Sequence, residues 1–402
     1  MGYEPGRGES VHREQSGTTV ATAVPDETLD GEPGPDRVAV HVAWEGALAA
    51  KVVVLGLLLW LQSPQELRGN SLRELLVGVV GLGLLALAAG VSLRTAAPNL
   101  AIGPVAVAGA LHFAEQGDRG VVESVLPALV VATVGGLAVA LFVVLLHVPA
   151  WAASLAAVAA VVVYIDQRSL PVTVQADYDP RTGAYYLFAG FAAVAVLGGL
   201  FGAIRSVRRL VGRFRPVDDP ARRRGVGAAI VTAGALTVST VLAMLAGVLL
   251  AANGSGRVVP DAGLDWTALA VGMALLGGTS AFGRRGGVSG TLLVVVLVNL
   301  LFVYTEAAGH QVNRWGIAGA AIGLGLVVTR LVETYGRPRP TAEGRAETGP
   351  PGDASISAGW TLPRAGTPAA WPPAMPARST EEPTDPWGRW DGERDRRRDD
   401  SR

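Results

Sequence analysis

A few polar side chains stand inside otherwise apolar stretches, and these are the residues that could do chemistry. Asn99 and Asn299 bring amides, Thr305 a hydroxyl and Glu306 a carboxylate, while Pro104 weakens the short apolar segment that follows Asn99. Such groups are costly to leave in lipid, so each marks a place where a polar solute could pass. Bond-making chemistry is not on offer. The chain has no G-x-x-x-x-G-K-[ST] phosphate loop, no H-E-x-x-H and no G-x-S-x-G. The histidines His12, His41, His112, His147 and His310 are scattered. There is no cysteine, which removes disulfides, thiolate metal sites and cysteine nucleophiles. The expectation is therefore a chain with no catalytic residue, no metal site and no cofactor of its own. Energy for uphill transport would come from a partner or from an ion gradient.

A second feature is the stretch 276–291, LGGTSAFGRRGGVSGT, set between apolar runs at 266–275 and 292–303. It contains six glycines and the adjacent cations Arg284 and Arg285. Glycine admits backbone angles that other residues resist, so a tight, closely packed turn is expected. The two arginines must reach water or headgroups.

The elements that position these residues follow from composition. The chain has 402 residues, of which 50% are hydrophobic and 17% charged, and its mean hydropathy is +0.37. A soluble protein of this size carries about a quarter charged residues. Here the charges gather at the two ends and in one internal loop, leaving a very apolar middle. That pattern predicts an all-α, polytopic membrane helix bundle in the lipid bilayer. The net charge is +0, and nothing suggests a nucleic-acid partner.

Ten apolar segments are expected to span, near 44–61, 76–93, 99–114, 121–146, 151–165, 185–204, 227–252, 266–282, 290–304 and 315–332. They make one permease-sized domain, 44–333. Residues 1–43 and 334–402 read as disordered tails, the second rich in Pro, Arg and Asp. The loop 205–224 holds Arg205, Arg208, Arg209, Arg213, Arg215, Arg222, Arg223 and Arg224. Cytoplasmic loops carry the excess of Lys and Arg, so this loop sets the topology. Counting outward from it puts both termini in the cytoplasm of a plasma-membrane protein, with Arg284, Arg285 and Arg330 also inside. Segment 99–114 is short for a straight crossing. It reads either as a broken helix lining an enclosed path or as a short tilted helix packed by small residues.

The stretch around Gly277, Gly278, Thr279, Ser280, Gly283, Arg285, Gly286, Gly290 and Thr291 resembles the GGTS…G-G-R-G…GT block of permease subunits of ABC importers, in the ribose and branched-chain amino acid permease superfamily. The helix, loop and helix before that block (229–276) and the apolar helix, short loop and last helix after it (290–327) are similar to the same family. Asn99–Gly103, followed by Pro104, sits where the family has D-L-S-V-G; Asn99 replaces its Asp and Ala101 its Ser. The resemblance implies a cytoplasmic ATP-binding subunit that binds the ATP, an extracellular solute-binding protein and a second permease copy. It also implies a coupling helix, at Asp218, Asp219, Pro220, Ala221, Arg222 and Gly225, where only Ala221 and Gly225 match the family pattern. The implied function is a transmembrane path for a small polar solute, a sugar first. The polarity of Asn99, Asn299, Thr305 and Glu306 within apolar stretches, with the break at Pro104, makes these the candidates for its lining; the alternative for Glu306 is an outer-surface charge cluster with His310 and Arg314. An ion-coupled secondary transporter and a degenerate, non-transporting scaffold are the competing readings.

Overall fold

The computed structural model describes residues 38–203, 226–254, 256–280 and 287–335. Among the described residues it is a bundle of ten α-helices with one two-residue strand pair. The helices are α1 (Val38–Gln62), α2 (Gly69–Arg94), α3 (Ile102–Gln116), α4 (Val121–Val144), α5 (Ala150–Ile165), α6 (Ala184–Ala203), α7 (Val226–Asn253), α8 (Leu264–Leu276), α9 (Val288–Ala307) and α10 (Arg314–Tyr335). The first begins at Val38, ahead of the expected start at residue 44. The arginine-rich loop and most of both tails lie outside the described residues.

Seven of the helices are long and apolar enough to cross a membrane. The other three of the ten are shorter than the expectation of ten spans implies. α3 has 15 residues, α5 has 16 and α8 has 13. At 1.5 Å per residue these reach only about 20–24 Å, against a hydrocarbon core of about 30 Å. The segment expected at 266–282 ends early, at Leu276. Gly278 has φ +94, its N–H donates to Leu275 O at 3.0 Å, and Thr279 N–H donates to Ala274 O at 3.0 Å. That pair of bonds closes the last turn on a left-handed residue and stops the helix.

α2 is the centre. Its run Val77–Gly83 is buried on every side, as expected of a helix that is apolar all round. Three glycines explain how neighbours come so close. Asn299 of α9 lies against Gly78, Leu250 of α7 against Gly81, and the Phe191 ring of α6 against Gly83. Small residues let helices approach where the hydrophobic effect gives no drive between them.

α2 and α7 pack side by side. They run antiparallel, because Asn253 at the end of α7 donates through Nδ2 to Glu74 O near the start of α2, at 2.9 Å. Around this pair the contacts repeat. α3 and α4 pack on α7, while α8 and α9 pack on α2; α3 packs on α5, and α8 on α10. The series α2–α5 and α7–α10 thus occupy matching places, five helices apart and oppositely directed. α1 packs on α9, and α6 on α2 and α9, outside this pattern. Strands β1 (Val172–Thr173) and β2 (Arg257–Val258) pair antiparallel and join the loops after α5 and α7.

Candidate functional site

The two short helices that correspond in the repeat, α3 and α8, meet at their first turns. The chain leaves α2 through Thr95 and Ala96, the latter at φ +46. It then runs without helix to Ala101. Asn99 sits in this connection, 2% exposed. Its Oδ1 accepts from Ala101 N–H at 3.0 Å, and its Nδ2 donates to Ser239 Oγ at 3.1 Å and Thr240 Oγ1 at 3.3 Å. Ser239 and Thr240 are the fourteenth and fifteenth of the 28 residues of α7. Irregular backbone therefore sits opposite the midpoint of a spanning helix. Such backbone survives at membrane depth only where protein or a lined path encloses it.

One turn later, Gly103 N–H donates to Thr267 Oγ1 of α8 at 2.9 Å, and Thr267 Oγ1 donates to Leu100 O at 3.1 Å. Gly103 also lies directly against the Gly263 carbonyl, with no room for a Cβ. Gly263, at φ +64, supplies the left-handed backbone that starts α8. One hydroxyl and two glycines thus join the starts of α3 and α8. Pro104 is buried in the first turn of α3, where a missing N–H costs nothing.

The remaining candidates do not gather around Asn99. Asn299 is 8% exposed on the other flank of α2, with its Nδ2 donating to Leu75 O at 2.9 Å. Thr305 donates to Leu301 O and Phe302 O of its own helix. Thr305 and Glu306 form the stop of α9, where their carbonyls accept from His310 N–H at 2.8 Å and Gly309 N–H at 2.9 Å. Glu306 is exposed. Five residues expected to line one path are thus divided between two flanks of α2 and the end of α9.

The glycine-rich turn is closely packed where it is described. Gly277 lies against Thr291, so close that an added Cβ would stand 2.6 Å from Thr291 Cα, and Gly287 and Gly290 crowd the Gly277 carbonyl. Thr279, Ser280 and Thr291 are buried at 1%, 2% and 3% exposure. Leu276 O accepts from Trp44 Nε1 at 3.0 Å, and Ser289 Oγ donates to Glu45 Oε1 at 2.6 Å, so α1 braces this end. Gly283, Arg285 and Gly286 lie outside the described residues, as do Asp218, Asp219, Pro220, Ala221, Arg222 and Gly225 of the expected coupling loop.

The other end of the bundle carries paired charges. Arg168, after α5, holds Glu115 of α3 with two nitrogens, at 2.5 and 2.7 Å, and lies 4.1 Å from the Tyr164 ring centre. This fork ties the end of α3 to the loop after α5. Arg314, at the start of α10, donates to Asp265 Oδ2 at 2.9 Å and lies 4.4 Å from the Trp266 ring centre. Between α3, α7 and the loop into α8 opens a cavity of about 200 Å³.

No family model matches the chain, and neither does any curated protein or solved structure. The permease likeness therefore rests on the residues quoted from the sequence.

Sequence reasoning missed Ser239, Thr240, Thr267 and Gly263. The signal was present as hydroxyls in the middle of an apolar stretch, TVST at 237–240. A hydroxyl can satisfy itself on its own helix, as Thr240 does by donating to Leu236 O at 2.9 Å. Spacing alone does not reveal that it also faces Asn99.

Proposed function

We propose that this chain is the membrane-embedded permease subunit of an ABC importer, carrying a small polar solute across the plasma membrane. ATP hydrolysis occurs on a separate cytoplasmic subunit. An external binding protein delivers the solute, and a second permease copy completes the complex. Both termini face the cytoplasm. The resemblance points to a sugar as the solute.

One observation carries the reading. Two oppositely directed sets of helices each contain a short helix, and the short helices meet beside an enclosed break in the backbone at Asn99. Short helices meeting in mid-bundle are how transporters place polar backbone at membrane depth. The buried polar side chains among the described residues are Ser, Thr and Asn, with no carboxylate. Proton coupling usually draws on buried acids, so this inventory favours an external ATPase over a proton gradient.

The test is affinity purification of the full chain from native membranes in mild detergent, followed by solute uptake in vesicles. Recovery of an ATP-binding subunit, together with uptake that stops when ATP is depleted, is the expected result. Uptake that survives ATP depletion and collapses with an uncoupler would overturn the reading.

A further inference from the structure

Four arginines among the described residues are half-buried, and three of them hold a carboxylate. Arg168 grips Glu115, Arg314 donates to Asp265 at 2.9 Å, and Arg181 lies 3.4 Å from Glu74 Oε2. The fourth is Arg94, the last residue of α2. Among the described residues its side chain makes no ion pair and no hydrogen bond. The carbonyls around it are already in use. Ala89 O accepts from the Ser92 hydroxyl, Ser92 O from the Thr95 hydroxyl and the Ala97 N–H, and Leu93 O from the Ala96 N–H. A half-closed cation without a counter-charge is costly, so this position calls for an anion.

The position is at headgroup level. Arg94 follows Glu74 by 20 residues, about 30 Å along α2. That is the thickness of a hydrocarbon core. Glu74 lies at the end of the bundle where charges are paired, so Arg94 stands at the opposite membrane surface. Helical side chains lean toward the start of their helix, over the residue four places before. For Arg94 that residue is Gly90, which has no side chain to fill the space. The Thr279 hydroxyl faces this gap, 3.8 Å from where a Cβ on Gly90 would stand. Cβ positions one turn apart are about 5–6 Å from each other, so the hydroxyl is within about 10 Å of the Arg94 Cβ. The guanidinium extends across part of that distance, and one small ligand can span the rest.

The donors decide which ligand. A guanidinium presents two parallel N–H groups, and the threonine hydroxyl adds a third donor from another part of the chain. Chloride has one centre and cannot use a planar fork. A carboxylate has two oxygens, both taken by the fork. A phosphate group serves the fork with two oxygens and keeps a third for the hydroxyl.

We propose that Arg94 and Thr279 bind a phosphate group, held between the end of α2 and the turn after α8. The group belongs to a lipid headgroup of that leaflet or to free phosphate in solution. Bound there, it balances Arg94 and ties two distant parts of the chain together. The site stands apart from the solute and from any ATPase partner.

The test uses the full chain in an uncharged detergent, stripped of phospholipid until no phosphorus remains. Its unfolding temperature is followed against inorganic phosphate, against phosphatidylglycerol in mixed micelles, and against chloride at matched ionic strength. Phosphate, the lipid or both raise it saturably, and chloride does not. Arg94→Gln removes the rise. Arg94→Lys keeps the charge but loses the two-bond grip, and binds at least about tenfold more weakly. Thr279→Ala also binds more weakly than the parent. A rise with the lipid alone assigns the site to a headgroup, and a rise with inorganic phosphate alone assigns it to a soluble anion. Competition between the two shows one site open to both. A response to neither probe beyond that to chloride overturns the proposal, as does a parent-like titration by any of the three variants.

Discussion

Asn99 and Ser239 are 140 residues apart in sequence, yet the Asn99 amide donates to the Ser239 hydroxyl at 3.1 Å, in a site closed to solvent. The same amide also holds Thr240 and the Ala101 N–H. Asn99→Ala removes all three bonds and leaves buried groups without partners. The expected loss is about 1–3 kcal/mol, near its lower end because interhelical bonds in membranes contribute modestly. Detergent unfolding of the variant measures it. Ser239→Ala alone is expected to cost less, since Asn99 keeps Thr240 and Ala101.

Gly103 offers a sharper contrast. A Cβ there would run into the Gly263 carbonyl, whereas nothing stands within 4 Å of a Cβ on Gly316. Gly103→Ala must force α3 and α8 apart, at about 1–3 kcal/mol or more. Gly316→Ala is expected to be silent or slightly stabilising through helix propensity. Equal unfolding temperatures for the two variants would contradict the packing described.

Ala96 is one of two non-glycine residues in the described chain with positive φ, at +46. Ala96 N–H donates to Leu93 O at 2.9 Å and Ala97 N–H to Ser92 O at 3.1 Å, the same closing turn that Gly278 makes after α8. An L-residue pays about 1–2 kcal/mol for that conformation and glycine does not. Ala96→Gly should therefore raise stability by up to about 1 kcal/mol, read as a higher unfolding temperature with unchanged expression.

Burial lifts the Asp261 carboxyl above the ordinary carboxylate range; Asp265 adds to the rise, while the Gly263 N–H and Arg314 oppose it. The folded state thus disfavours the ionised form more than the unfolded state does. Stability falls as pH rises from the ordinary carboxylate value, about 3.9, through the raised folded value, and stays lower above it. Asn at position 261 keeps an acceptor for the Gly263 N–H and has no charge. Asp261→Asn should flatten the pH dependence between about pH 4 and neutrality. At pH 7 it should unfold at a slightly higher temperature than the parent.

Much of the bundle could be read from the chain because lipid-scale apolar runs are unambiguous. The stretch 76–93 names itself as a span, and the structure makes it the buried centre, with most of its residues inside the protein. Helix length was harder to read. The glycines from Gly277 onward already pointed to a turn, but hydropathy alone carried the span on to 282, and only the structure shows that Gly278 is left-handed and that the helix ends at Leu276. The polar candidates were the least legible. Asn99 and Asn299 look alike in sequence, but α2 stands between their sites, and only the fold decides which flank each takes. Thr305 and Glu306 were marked by polarity, though their structural part is played by backbone carbonyls that any residue would supply.

The shortness of α8 bears on how the chain is made. Thirteen residues, Asp265 among them, give lipid too little to hold, so this segment is poorly retained as it leaves the ribosome. Its settled place depends on a helix synthesised later. α10 lies along it in register, with Gly272 against Ala321 and Gly325 against Leu275. A nascent protein truncated before residue 314 would therefore leave α8 stranded at the bilayer edge, and the second half of the molecule would integrate as a unit rather than helix by helix.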